Sequence, residues 1–121
     1  MKYMLLVYHD EESFNARAEG ERHKMLQESV QLANQLHDSA QYLDAAPLHP
    51  TLETTCVRMR GGKRIVTDGP FAETREQIGG YFLVEARDVN EAIEIASRIP
   101  GARIGTVEVR RVTEVEGLPK V

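Results

Sequence analysis

Several kinds of residue are scarce in this chain of 121 residues, and each shortage excludes a class of protein. The chain has one cysteine and no tryptophan. A single cysteine, Cys56, excludes an intramolecular disulfide framework, and its place in a strand-like run predicts a small buried side chain. The apolar run at residues 3–8 is too short for a membrane span or a signal-peptide core, so we expect a cytoplasmic protein without membrane contact.

The chain also lacks an excess of basic residues. It has 15 Lys and Arg against 19 Asp and Glu, which gives a formal charge of -4. Nucleic-acid binding needs a concentrated positive face, and the basic residues here are scattered, so we expect no nucleic-acid partner. No phosphate-binding glycine motif and no zinc-binding His motif is present, so we expect no cofactor and no metal site.

The residues that are present predict one domain over residues 1–121. Hydrophobic residues make up 41% and charged residues 28%, as in ordinary globular proteins. Apolar periodicity and turn residues predict the elements. They are a strand at 3–8, a helix at 21–37, a short strand at 41–43, a hairpin of 54–60 and 63–67, a strand at 79–85, a helix from 89 to 99 and a strand at 104–112.

Without the inserted hairpin the element order is β-α-β-β-α-β. This order predicts an α+β, ferredoxin-like fold with two helices on one face of an antiparallel sheet. The strands at 3–8 and 79–85 are apolar on every residue, so their other face also needs a cover. A second copy of the chain is the simplest cover and predicts a homodimer; the alternative is the segment from Asp10 to Gly20.

One tract resembles a known family. The run Asp68-Gly69-Pro70-Phe71, followed by residues 72–81, is similar to the signature region of the DGPF branch of YCII-related proteins, and residues 1–8 and 99–110 are similar to the same family. The resemblance implies a dimeric α/β barrel and bacterial genes near those of extracytoplasmic-type sigma factors. It also implies an acid/base role for a His–Asp pair. One departure is the run Asp38-Ser39-Ala40 after the first helix, where such chains commonly have a glycine.

Asp68 is the first candidate catalytic residue. An aspartate normally accepts the backbone N–H two residues further on, but that residue is Pro70, which has no N–H. The carboxylate must therefore bind another partner or a ligand. A functional carboxylate and a structural role in the turn both remain open at this point.

His9 is the second candidate, since it directly follows the first central strand. With Asp68 orienting its ring it would act as an acid or base near neutral pH; the alternative is a solvent-facing loop histidine. Tyr8 and Tyr81 are candidate substrate-binding residues or core aromatics. Glu73 and Arg75 are candidates to bind a ligand, or belong to a solvated turn.

Three hypotheses for function follow. The first is a cofactor-free acid/base enzyme, isomerase- or lyase-like, that acts on a small anionic or aromatic molecule. The second is a non-catalytic small-molecule-binding or regulatory module that works with a sigma factor. The third makes the Asp68-Gly69-Pro70-Phe71 run a folding device only.

Overall fold

The structure is a computed structural model, and it describes residues 1–120. Two short 3-10 turns, Thr51–Glu53 and Pro100–Arg103, accompany the main elements. In chain order these elements are β1 (Lys2–His9), α1 (Glu11–Asn15), α2 (Glu19–Asp38), β2 (Tyr42–Pro47), β3 (Thr55–Arg60), β4 (Lys63–Asp68), β5 (Gln77–Glu85), α3 (Val89–Ser97) and β6 (Thr106–Arg111).

Four strands form one antiparallel sheet in the order β2-β5-β1-β6. Strands β3 and β4 form a separate two-stranded sheet, which is inserted in the chain between β2 and β5. This strand order and element order are those of the predicted ferredoxin-like fold. The α+β fold with an inserted hairpin is therefore confirmed.

The core lies between this sheet and its two long helices. Leu5 of β1 stands opposite Phe82 of β5 and Val109 of β6, and Leu5 and Phe82 are buried. Leu36 of α2 and Ile95 of α3 belong to the same buried cluster. Both helices therefore pack on one face of the sheet, as predicted.

The other face of the sheet is half-buried in the single chain. Side chains alternate along a strand, so Met4, Leu6 and Tyr8 point away from the face that buries Leu5. The segment from Asp10 to Gly20, predicted as polar chain, contains α1 and the start of α2. Asp10 caps α1 by accepting the N–H groups of Glu12 and Ser13 at 3.0 and 3.2 Å.

The structure also corrects the extent of β2. The short strand predicted at 41–43 is longer in the structure, where β2 continues through Pro47. Because β2 is an edge strand, the missing N–H of Pro47 removes no hydrogen bond from the interior of the sheet.

Helix α2 ends without the glycine that the family resemblance led us to expect. Ala40 has φ 59°, a left-handed conformation that favours glycine. The N–H of Gln41 donates to the carbonyl of Leu36 at 2.8 Å and that of Ala40 to His37 at 3.1 Å. These two bonds form a Schellman motif, so the expected turn is kept with alanine in place of glycine.

The β3-β4 hairpin forms as predicted. Its turn residues Gly61 and Gly62 have φ 56° and 77°, values that the tight hairpin turn requires. Cys56 is only half-buried, because the hairpin has no second layer over it, and its thiol donates to the carbonyl of Gly69 at 3.2 Å. Within residues 1–120 no helix is both long and apolar enough to cross a membrane.

Candidate functional site

A cavity of about 480 Å³ lies between α2 and the helix-covered face of the sheet. This volume is in the usual range for small-molecule sites. Its wall is mostly apolar and is formed by side chains of β1, α1, α2, β2 and β5 and by the turn that follows α3. The apolar members of this wall include Val7, Phe14, Met25, Leu26, Val30, Ala33, Phe82, Ile99, Pro100 and Ile104.

Helix α2 creates the cavity because its two halves pack differently. In the second half, Leu32 and Leu36 are buried against the sheet. In the first half, Met25 and Leu26 face the cavity instead, and Leu26 is 48% exposed at its rim. The single amphipathic stripe predicted for this helix therefore serves two purposes, core packing and cavity lining.

Two glycines of the cavity wall, one in β5 and one in the turn after α3, allow neighbouring groups to approach closely. A Cβ at Gly80 would lie 2.9 Å from the carbonyl oxygen of Ala46, and one at Gly101 would lie 2.5 Å from Cγ1 of Val7. Both contacts are too short for a side chain. The close approach of these segments therefore requires glycine.

His9, at the end of β1, places its imidazole at one end of the cavity. A break in the pairing register between Val7 and Tyr8 leaves Gly79 of β5 as an extra residue, a β-bulge. The His9 ring lies directly over Gly79, where a Cβ would be 2.7 Å from Nδ1. The ring also stacks on Phe14 of α1, with 4.6 Å between the ring centres. The imidazole thus has a defined position between a glycine and an aromatic ring.

The surroundings of His9 lower its pKa below the ordinary value of 6.5. Burial is the largest cause, because a charged imidazolium loses hydration in the cavity wall. The negative charges of Glu11, Glu76 and Asp10 act in the opposite direction and raise the pKa. Since burial prevails, His9 is neutral at pH 7 and can accept a proton.

Hydrogen bonds hold the carboxylates near His9 in place. The carboxylate of Glu11 accepts the backbone N–H and the hydroxyl of Thr51 at 2.9 and 2.8 Å. That of Glu76 accepts the hydroxyl of Thr106 at 2.8 Å. The acidic groups around the imidazole are therefore fixed by other parts of the chain.

Five further polar side chains in the cavity wall were not predicted from the sequence. They are Arg22, Ser29, Asn34, His37 and Tyr42. Arg22 and His37 share a helical stripe with Met25, Ser29 and Ala33, and this spacing was a usable signal. His37 is exposed near the end of α2 and borders the cavity, with its ring 6.4 Å from that of Tyr42.

Arg22 has an unusual hydrogen-bonding state. Its Nε is buried and has no hydrogen-bond partner, and none of the ion pairs within residues 1–120 includes Arg22. Two other arginines behave differently, since Arg17, between α1 and α2, binds Glu21, and Arg103, in the turn after α3, binds Glu28, each at 2.7 Å. Arg22 thus borders the cavity with a positive charge that no ion pair of the described residues neutralises.

Asp68 lies elsewhere in the chain. It is the exposed last residue of β4, opposite Thr55 in the hairpin, and it does not border the cavity. No hydrogen bond joins it to His9 among the described residues, and the carboxylates that act on His9 are those of other residues. The pairing of His9 with Asp68 stays a prediction, and a single copy of the chain does not bring the two together.

The other candidate residues are also separated from one another. Tyr8 is on the sheet face opposite the cavity, and Glu73 and Arg75 are exposed in the segment between β4 and β5. Tyr81 borders the cavity, but its hydroxyl donates to Asp44 at 2.7 Å, and this bond raises the tyrosine pKa above 10.0. Within residues 1–120 no three His, Cys, Asp or Glu side chains come together as a metal site.

Comparison with known proteins now places the chain in a family. The profile of the YCII-related domain matches residues 1–116. The chain belongs to this family. An uncharacterized protein of Rhizobium meliloti (strain 1021), R00369, is 31% identical over 112 residues, which are 91% of this chain and 90% of the relative.

A solved structure has the same fold as this YCII-related chain. It is 5-chloro-2-hydroxyhydroquinone dehydrochlorinase (TftG) from Burkholderia phenoliruptrix AC1100, in complex with 2,5-dihydroxybenzoquinone. The two superpose with a TM-score of 0.57 over 96% of this chain and 97% of that one, at 13% sequence identity. At this identity the likeness establishes the fold alone.

Proposed function

We propose that the protein is a cofactor-independent acid–base enzyme, isomerase- or lyase-like, with His9 as its proton-transferring group. The observation that carries this proposal is the neutral, half-buried imidazole at the end of a mostly apolar cavity. An imidazole whose pKa lies below neutral is deprotonated in the resting enzyme and can remove a proton from a bound molecule.

The cavity supports the same chemistry. The mostly apolar walls displace water from the part of a bound molecule that they cover, which favours direct proton transfer between His9 and the substrate. In an isomerase-like reaction His9 accepts a proton from one atom of the substrate and returns it to another. In a lyase-like reaction it accepts the proton while the electron pair of the broken bond expels a leaving group on the neighbouring atom.

The name and the bound molecule of the structural neighbour are consistent with this proposal. That protein is named a dehydrochlorinase, and its bound molecule is a small ring compound. Loss of hydrogen chloride is a lyase-like reaction that needs a base. The present cavity has the size and the apolar lining for a single ring, with Phe14 and Phe82 among its walls.

The proposal can be tested by screening turnover of small aromatic and enolizable compounds with the wild-type protein and with His9→Gln. We expect His9→Gln to reduce kcat/KM by about 100-fold or more, the usual contribution of a general acid or base. Circular dichroism and the melting temperature should show that the variant is folded. Equal turnover by the two proteins would contradict the role of His9.

The same screen tests the predicted role of Asp68. If Asp68 orients His9 or acts as a second acid or base, Asp68→Asn removes turnover as well. Because Asp68 lies outside the cavity of its own chain, such a result requires the hairpin of a second copy, or a movement of the hairpin, to bring it to the site. Arg75 and Glu73, in the segment that follows, would then also be candidates for ligand contacts.

A homodimer is part of the proposal. Met4, Leu6 and Leu83 leave the second face of the sheet half-buried, and the hairpin exposes apolar side chains such as Val57 and Met59. Apolar surface of this kind is typical of an interface between subunits. Light scattering after size-exclusion chromatography should give twice the chain mass of 13.6 kDa, and a monomer at micromolar concentration would refute the dimer.

The alternative function is a small-molecule-binding or regulatory module without turnover. The apolar cavity suits this function equally in shape. Saturable binding of a ring compound together with no His9-dependent turnover would favour it. A stoichiometric sigma factor in the protein purified from its host would identify the predicted partner, and that association stays a prediction.

A further inference from the structure

Arg22 lines the cavity with a positive charge that no ion pair of the described residues neutralises, and its buried Nε has no hydrogen-bond partner there. A buried guanidinium N–H without an acceptor is costly, and native proteins keep such groups mainly where a ligand or water satisfies them. The carboxylates around His9 do not serve as acceptors, since Glu11 and Glu76 are bound to Thr51 and Thr106. The chain itself thus supplies no partner within the described residues.

Helix stability does not explain Arg22. It lies in the first turns of α2, where the helix dipole disfavours a positive charge. Of the acidic residues near it on this helix, Glu21 is engaged by Arg17 at 2.7 Å. Arg22 therefore has an electrostatic cost at this place and no compensating contact in the chain.

The position of Arg22 relative to His9 follows from the topology. Strand β1 ends at His9, and the chain passes through the short α1 directly into the first turn of α2. Both side chains border the cavity, with Phe14 of α1 between them in sequence. Arg22 and His9 are therefore at the same end of the cavity, opposite the end that holds His37 and Tyr42.

We infer that Arg22 selects substrates that carry a carboxylate. The two terminal nitrogens of a guanidinium can donate two parallel hydrogen bonds, which match the two oxygens of a carboxylate. A ring attached to that carboxylate would lie among the apolar residues Met25, Val30 and Phe82. The substrate class is therefore an aromatic or unsaturated cyclic carboxylic acid, and this inference rests on the proposed function in placing substrate in the same cavity.

The test measures binding and does not depend on turnover. Benzoate, 4-hydroxybenzoate and 2,5-dihydroxybenzoate are titrated into the full-length protein, each beside its primary amide, by calorimetry or by NMR chemical shifts. The amide keeps the ring and removes the charge. We expect each acid to bind about 10- to 100-fold more tightly than its amide, the range for hydrogen bonds between charged groups.

Variants of Arg22 test whether the tighter binding of acids than of amides depends on the Arg22 side chain. Arg22→Gln should weaken acid binding by a similar factor and leave amide binding nearly unchanged, whereas Arg22→Lys, which keeps the charge without the planar fork, should be intermediate. Arg64→Gln, a change of the same charge in the exposed hairpin, is the matched control and should bind acids as the wild type does. Melting temperatures confirm that each variant is folded.

Each outcome decides the inference separately from the proposed function. Equal affinity for acids and amides, acid binding unchanged in Arg22→Gln, or no acid bound at millimolar concentration would overturn it. Acid binding that depends on Arg22 without any turnover would support the inference and refute the acid–base enzyme. Turnover of an uncharged compound that depends on His9 but not on Arg22 would support the acid–base enzyme and refute the inference about Arg22.

Discussion

The cavity and the β3-β4 hairpin differ in how easily their residues are recognised in the sequence. The hairpin leads into Asp68-Gly69-Pro70-Phe71, the most recognisable run in the chain, yet its strands are largely exposed. The cavity has no recognisable motif, and its polar residues come from β1, α2, β2 and β5. A run that identifies a family therefore need not lie at the pocket of its own chain.

The two regions also differ in packing. Around the cavity, two helices and four strands bury a continuous core. In the hairpin, Val57, Met59, Ile65 and Val66 are each at least 42% exposed, and Phe71 beyond it is 80% exposed. An isolated two-stranded sheet is at best marginally stable, so the hairpin needs a covering surface that the single chain does not supply.

The largest expected effect is the difference in stability between a core substitution and a hairpin substitution. Leu36 has no exposed surface, and Leu36→Ala should lower the free energy of unfolding by about 3 kcal/mol, through lost burial and the cavity left behind. The matched change Ile65→Ala in the hairpin should lower the free energy of unfolding of the monomer by less than about 0.5 kcal/mol. Urea unfolding of both variants measures the difference. A large cost for Ile65→Ala would show that the hairpin is covered in solution.

The next effect concerns the glycine beneath His9. A side chain at position 79 would displace the imidazole, so Gly79→Ala should reduce His9-dependent turnover by about 100-fold, as expected when a catalytic group is misplaced by about 1 Å. Gly20→Ala is the control, because its Cβ would meet nothing within 4 Å. Full activity in Gly79→Ala would show that the position of the ring is not essential.

A smaller effect follows from the lowered pKa of His9. In the pH range between 6.5 and this lowered pKa, the unfolded chain binds a proton that the folded chain does not, so acid favours unfolding. The contribution of His9 to stability is thus fully present above pH 6.5 and is lost as the pH falls through that range. Urea unfolding as a function of pH should show a steeper decline for the wild type than for His9→Gln. Parallel curves would contradict burial as the main cause of the shift.

The smallest effect is expected at Asp68. Its exposed carboxylate makes no hydrogen bond with the described residues, so Asp68→Asn should change the free energy of unfolding by less than about 0.5 kcal/mol. The folding-device hypothesis expects a loss of about 1 kcal/mol or more, the scale of a buried hydrogen bond. Chemical unfolding at pH 7 distinguishes the two, and a loss of that size would support a structural role.

Much of the fold could be predicted because its signals are local. The Gly61-Gly62 pair predicts a tight turn, and Asp88 predicts the start of α3, where its side chain accepts the N–H of Glu91 at 2.9 Å. The short helix α1 and the length of β2 were missed. A five-residue helix has too little periodicity to detect, and Pro47 is tolerated only because β2 lies at the edge of the sheet.

The sequence by itself determined the elements, their order and the family, because turn chemistry and apolar periodicity act over a few neighbouring residues. Only the tertiary structure decided the site. It set His9 over Gly79, which is 70 positions away in the chain, left Arg22 without an acceptor, and kept Asp68 out of the cavity. These relations depend on distances between segments remote in sequence, and those distances are fixed only when the sheet and its helices pack together.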